Sequence, residues 1–315
     1  MGIRRREVLA AGAASVAFGA AGCSPGVFAR NKRKRKVRQY LSGLDAVASA
    51  QVDVHAEFLA SDRWVVDVVL KDNPSAESVA TVVRDAYTKV QNLARVDEVN
   101  MHVSWDQGET SVFCNLPMKD ADKAASATVE AVSPGMERVQ VAEKRISFGY
   151  RTAETLPDRF ILPATSPALS LDSFEIEQSI LIGRSYCFVS HAKGKDVTSV
   201  PIKRALEAIP SDKRYGAVVS LEAEDEDRHQ TRLTVRGLGQ YGQDVDVQSA
   251  ATVLATVLGN QVLQRVELST AVEGGNQPTA VVFDMKSGAV VGQGDPPEQG
   301  APILAAAQQA AASPS

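Results

Sequence analysis

The sequence predicts an α+β protein: duplicated helix-hairpin-helix-hairpin units, with antiparallel sheets covered by helices. Three observations carry that expectation. Short segments alternate apolar and polar side chains, as half-buried strands do. These segments come in pairs separated by turn-forming residues. Segments of helical period precede each pair, and the same order recurs in both halves of the chain.

The first unit is expected over residues 37–150. Val37, Tyr40, Leu41 and Leu44 stand at helical spacing. A strand follows over Gln51–Leu59, where Val52, Val54, Ala56 and Phe58 alternate with polar neighbours, and Ala60-Ser61-Asp62 turns the chain into a second strand, Arg63–Lys71. Asn73-Pro74 supplies a helix cap with proline at the first helical position, a position that tolerates its missing N–H. Val79, Val82, Val83, Ala86, Tyr87 and Val90 then share one helical face. Glu98–Trp105 and Ser111–Leu116 are the next strand pair, around Asp106-Gln107-Gly108. A helix over Ala121–Val132 and one strand near Arg138–Tyr150 end this half. Residues 151–175 form a connector holding Pro157, Pro163 and Pro167.

The second unit is expected over residues 176–287. Ile202, Leu206 and Ile209 mark a short helix, and Gly216–Glu222 and Thr231–Gly237 a strand pair. Ala250, Leu254, Val257 and Leu258 share a helical face, with Gly259 placed to stop the helix. Arg265–Ala271 and Thr279–Met285 are the closing strands. Residues 288–315, rich in Gly, Pro, Ala and Gln, predict a loosely ordered tail.

The first 22 residues have the order of an export signal: a basic start, an apolar stretch, then small residues. Arg5 and Arg6, one variable residue, then Val8 and Leu9 resemble the twin-arginine export motif. Gly19-Ala20-Ala21-Gly22-Cys23 resembles the lipobox of bacterial lipoproteins. That resemblance implies cleavage before Cys23 and a diacylglyceryl group on its thiol. Ala20 departs from the larger aliphatic of the family pattern. The segment is similar to that of twin-arginine lipoproteins of high-GC Gram-positive bacteria, over residues 4–23 only, and brings an envelope location and no activity. Two alternatives stay open: a soluble secreted chain trimmed nearby, and an uncleaved anchor, since no charge occurs between Val8 and Ala29. Against the anchor stand Pro25, four glycines and few bulky aliphatics in that stretch.

Residues 23–36 are expected to be a lipid-anchored basic tether. Arg30, Lys32, Arg33, Lys34, Arg35, Lys36 and Arg38 crowd this segment. Cations there supplement acyl chains at an anionic surface, each contributing about 1 kcal/mol. They also exceed the three arginines ahead of the apolar stretch, a distribution that favours a cytoplasmic body under the positive-inside rule. Twin-arginine export carries folded cargo and is less sensitive to charge there.

The formal charge of −4 hides an uneven layout. Without residues 1–22 the chain holds 31 basic and 37 acidic residues, and without the seven cations of the neck 24 against 37. A body this acidic lacks the basic face that displaces counterions from phosphate, which argues against nucleic acid as a partner.

Catalytic chemistry finds no motif. His55, His102, His191 and His229 are the four histidines, and none sits at metal-ligand spacing to another. His55 and His102 occupy polar-phase positions of expected strands, where they meet across a sheet or face solvent. Cys114 and Cys187 are either a disulfide or two buried thiols. Glu222, Glu224, Asp225, Glu226 and Asp227 crowd a hairpin tip at spacings that fit no calcium loop. Gly237-Leu-Gly239-Gln-Tyr-Gly242 matches a dinucleotide string loosely, but Asp244 and Asp246 at the following helix would repel a pyrophosphate. The sequence therefore points to no catalytic residue, no metal and no cofactor. It points to a lipid-anchored envelope protein that binds or scaffolds another envelope component through sheet faces or edges. The alternative is an envelope enzyme whose site joins distant residues such as His55, His102 and nearby carboxylates.

Overall fold

The computed structural model describes residues 25–55, 62–117, 120–158, 160–163, 165–171, 175–183, 185–191, 196–210, 218–223, 230–271 and 277–312. The export signal, Arg5, Arg6, Cys23, Glu224–Asp227 and His229 lie outside them. Among the described residues no helix is long and apolar enough to cross a membrane.

Among the described residues, thirteen strands form a single mixed sheet in which spatial order equals chain order. They are β1 Val47–His55, β2 Arg63–Leu70, β3 Asn100–Gln107, β4 Thr110–Leu116, β5 Met136–Ala142, β6 Arg145–Ala153 and β7 Glu175–Ile182. They continue as β8 Ser185–His191, β9 Val218–Ala223, β10 Thr231–Arg236, β11 Arg265–Ser269, β12 Ala280–Lys286 and β13 Ala289–Asp295. Helix α1, Pro25–Ser42, precedes the sheet. α2 (Ala76–Thr81), a π turn (Val82–Ala86) and α3 (Tyr87–Ala94) join β2 to β3, and α4 (Ala121–Ala131) joins β4 to β5. α5 (Ile202–Ala208) joins β8 to β9, α6 (Val247–Val257) joins β10 to β11, and α7 (Pro297–Ala312) follows β13.

This arrangement overturns the expected fold class. The chain does not make two helix-hairpin-helix-hairpin units with antiparallel sheets. Antiparallel hairpins β1–β2, β3–β4, β5–β6, β7–β8, β9–β10 and β11–β12 lie side by side, and each joins the next through a parallel pair. Alternation marks a strand but not the direction of its neighbour, and the parallel joins span long crossovers with no local signal. At the expected connector, β6 and β7 pair directly, so the sheet continues through it. The region near Arg138–Tyr150 is a hairpin turning at Lys144 (φ 65°), not one strand. The expected loose tail contains β13 and α7, whose Ile303 and Ala307 are fully buried.

One face of the sheet is apolar. Val68, Val103, Cys114, Val141, Ile146 and Ile176 follow one another across six strands in register, and all are buried. The crossover helices lie over this face, with α1 against α3, α2 against α4, and α5 and α7 against α6. The opposite face carries Ser, Gln, Asn, Asp, Glu and Arg, and among the described residues no helix covers it. A single register row there crosses the whole sheet: Ser49, Val69, Ser104, Phe113, Gln140, Ser147, Glu177, Ser190, Glu222, Arg232, Arg265, Asp284 and Val291. At about 4.8 Å per strand the row is about 57 Å long.

Local signals explain several ends. The cap of α2 is Ser75, whose hydroxyl accepts from the Ser78 N–H at 3.1 Å, two residues beyond the Asn73 expected from sequence. Asn73 instead takes a left-handed conformation, and its Oδ1 accepts from the Gly108 N–H at 2.6 Å. Asp246 caps α6 through the Ser249 N–H at 2.8 Å, and Gly259 follows the helix at φ +85°. Glycine enters that conformation without a Cβ clash.

Candidate functional site

The β6–β7 crossover is built differently from its neighbours. Where β2–β3, β4–β5, β8–β9 and β10–β11 are joined through α-helices, residues 154–174 contain Pro157, Pro163 and Pro167 and, among the described residues, only a one-turn 3₁₀ segment, Pro167–Ser170. Proline lacks an amide donor and its ring clashes with the preceding turn, so this spacing denies the segment a helix interior. A gap is left in the helical layer between the end of α4 and the start of α5. It is a half-open hollow of about 790 Å³, within the roughly 300–1,000 Å³ of small-molecule sites.

The gap has an apolar lining and unsatisfied polar groups around it. Leu156, Phe160, Leu162, Val200 and Ile202 are buried and line it. Ser166 also lines it, and its buried hydroxyl has no hydrogen-bond partner. Behind the wall lies Gln178, fully buried in a row of apolar side chains between Phe148 and Val189. Its Oε1 accepts from the Leu162 N–H at 2.5 Å, while Nε2 has no partner. The Tyr150 ring packs against Phe160 at 5.4 Å, and its buried hydroxyl is also unpaired; burial raises its pKa. An unpaired buried polar group costs about 1–3 kcal/mol, so three around one gap need an explanation. At the rim, Lys203 Nζ lies 2.8 Å from Asp158. That contact lowers the pKa of Asp158 and raises that of Lys203. Arg204 has no carboxylate partner among the described residues, and Glu130 stands on the α4 side. Sequence reasoning missed this site. Its signals were the three prolines and the polar Gln178 in the apolar phase of Ile176, Ile180 and Ile182.

The residues singled out from sequence are dispersed. His102 Nδ1 lies 2.9 Å from Asp67 Oδ1, but both side chains are 49% exposed on the open sheet face. His55 is exposed on edge strand β1, opposite Arg63, and is four residues away along the strands from the register row of His102. His191 is buried at the end of β8. The described residues include no group of three His, Cys, Asp or Glu side chains placed to hold a metal. Glu222 pairs with Arg232 at 2.9 Å on the open face. Cys114 and Cys187 are separate buried thiols, on β4 and β8. Four strand spacings, about 19 Å, lie between them, too far for a disulfide. Burial pushes each thiol up to about 12.

The basic run lies within α1 and divides between its two sides. At 3.6 residues per turn, Arg30, Arg33, Lys34, Val37 and Leu41 share the side facing the sheet. Arg30 forms a two-point pair with Asp62, and Lys34 Nζ lies 3.1 Å from Asp53. Arg33 donates to the Ala94 carbonyl at 2.8 Å and stands 5.9 Å from the Trp64 ring centre. Hydrogen bonds from Gln51 and Lys34 lower the pKa of Asp53. Lys32, Arg35, Lys36 and Arg38 occupy the other side and are exposed. Sequence reasoning pooled all seven cations as one surface patch; three of them hold the helix to the body.

No family model, curated protein or solved structure matches this chain in sequence or fold.

Proposed function

We propose that the chain is an exported lipoprotein, anchored through lipid on Cys23 to the extracytoplasmic face of the cell membrane, where it binds or scaffolds an envelope component without catalysing a reaction. The observation that carries this reading is the placement of α1. The helix is already formed at Pro25, two residues beyond Cys23 in sequence, and turns Lys32, Arg35, Lys36 and Arg38 away from the body. A diacylglyceryl group on Cys23 would set those four cations beside anionic headgroups, and acyl chains with a basic patch hold far better than either alone. The rest of the chain carries an excess of acid and would be repelled from that surface. The sheet then extends from the anchored end with one polar face uncovered, a platform for a partner.

The His102–Asp67 contact favours the second reading, an envelope enzyme, but it lies on a flat, half-exposed face rather than in a cleft that excludes water. Fractionation of cells expressing the native chain and Cys23→Ala tests the anchor. Membrane association of a chain starting at a lipid-modified Cys23, lost in the variant, is the expected result. An unmodified full-length chain in the cytoplasm overturns it. Flotation with anionic vesicles tests the helix: the lipidated chain should release with rising salt, and Lys32→Glu/Lys36→Glu should weaken its binding without changing its fold.

A further inference from the structure

We propose that the cavity at the β6–β7 crossover is a binding site for a small amphipathic molecule, an apolar body bearing an acidic head group, of which a long-chain fatty acid is the simplest representative. This goes beyond the anchored-platform reading and stands whether or not the chain reaches a membrane.

The body of the ligand follows from the walls. Phe160, Leu162 and Ile202 line about 790 Å³ left open by the proline-bearing crossover. An apolar hollow of this size is more favourably occupied by hydrocarbon than by water. The head follows from the polar groups. The Ser166 hydroxyl is buried in the lining and able to donate, with no acceptor among the described residues. Lys203 and Arg204 stand on the α5 side of the mouth, and Arg204 has no carboxylate partner among the described residues. Asp158 is engaged by Lys203, and Glu130 belongs to the opposite, α4 wall. The acidic head therefore lies toward Ser166, Lys203 and Arg204, away from Glu130, and the hydrocarbon along Leu156, Phe160 and Leu162. A carboxylate accepts from both a hydroxyl and a guanidinium with its charge strengthening each bond, whereas an alcohol accepts only through a neutral oxygen and an ammonium not at all.

Displacement of the fluorescent fatty acid cis-parinarate from the purified full chain tests this, with oleate, dioleoylphosphatidate and oleyl alcohol as competitors below their aggregation concentrations. The expected result is saturable binding of one probe per chain and displacement by an acidic competitor. Ile161→Trp, at the half-buried lip, should weaken binding by about tenfold or more while leaving the thermal midpoint unchanged. Ser166→Ala and Arg204→Glu should each weaken the acidic competitor by about three- to tenfold and oleyl alcohol by clearly less. Preference for oleate assigns the site to free acids and preference for dioleoylphosphatidate to phosphate-headed lipids; either upholds the proposal. A photoreactive fatty acid mapped by mass spectrometry gives a readout independent of any variant. Cross-links within residues 156–167 or 198–204 support the site. Absence of saturable binding, oleyl alcohol binding as tightly as the acids, or cross-links on the open sheet face overturns it.

Discussion

Arg30 and Asp62, 32 residues apart, meet in a two-point ion pair: Arg30 Nε donates to Asp62 Oδ2 at 2.8 Å and its terminal nitrogen to Oδ1 at 2.7 Å. The contact joins the first turns of α1 to the start of β2. Its side chains are 27% and 21% exposed, so water screens it only in part. Planar two-point pairing fixes orientation as well as distance.

Arg30→Ala is accordingly expected to cost about 1–2 kcal/mol, through loosening of α1 rather than global collapse. Hydrogen exchange checks this: the backbone amides of α1 beyond its proline should exchange faster while those of β3–β12 keep their protection. Arg30→Lys should restore only part of the loss, because an ammonium cannot match both carboxylate oxygens. Unchanged protection of α1 in Arg30→Ala would remove the pair from the list of contacts that dock the helix.

Cys114 and Cys187 are expected to resist maleimide in the native protein and to react together on denaturation. Both are buried and uncharged until about pH 12, and the thiolate is the reactive species. The sign of the pH effect follows: each thiol ionises at lower pH in the unfolded chain than in the folded one. Their contribution is intact at neutral pH and is lost as pH rises from the ordinary thiol range toward 12. Alkaline denaturation should shift to higher pH in Cys114→Ala/Cys187→Ala once its lower stability at neutral pH is subtracted. Mass spectrometry of the unreduced chain should show no bond between these two cysteines.

Asp53 supplies the opposite sign. Its carboxylate is held below the ordinary range by hydrogen bonds from Gln51 and Lys34. The stability it contributes is present above that range and is lost as pH falls toward the lowered value. Both members of the Lys34–Asp53 pair are about 40% exposed, so the effect is expected to be only a few tenths of a kcal/mol. Lys34→Met should flatten the acid limb of a urea-stability profile by that amount. A change above about 1 kcal/mol would mean that the pair is more deeply shielded than its exposure indicates.

Individual strands were legible because alternation is a local property. Trp64, Val66, Val68 and Leu70 announced β2, and Met101, Val103 and Trp105 announced β3. The way hairpins join was not legible, since Val69 pairs with Ser104 through a parallel contact that no neighbouring residue encodes. The candidate cavity was hidden for a related reason. Gln178 reads as one polar residue in an apolar strand until the register places it beneath a crossover that prolines keep from being helical. Composition misled at the C-terminus. Gly294 and Gly300 look like marks of a loose tail, yet they are where β13 and α7 come closest.

That close approach makes the last prediction the sharpest. A methyl group on Gly300 would run into the Gln293 carbonyl oxygen and come within 2.8 Å of the Gly294 Cα. Both obstacles are backbone, so no side chain can swing aside. The helix must either lift from β13, exposing the buried Ile303 and Ala307, or distort the strand. Gly300→Ala should therefore destabilise the protein by about 1–3 kcal/mol, as overpacking does, even though alanine is the better helix former. Gly292 provides the contrast. A Cβ there meets nothing within 4 Å, although its φ of +82° disfavours alanine, so Gly292→Ala should lose only about 1 kcal/mol from backbone strain. Urea unfolding of the two variants beside the wild type measures the difference. If Gly300→Ala proves neutral or stabilising, α7 does not sit against β13 in solution.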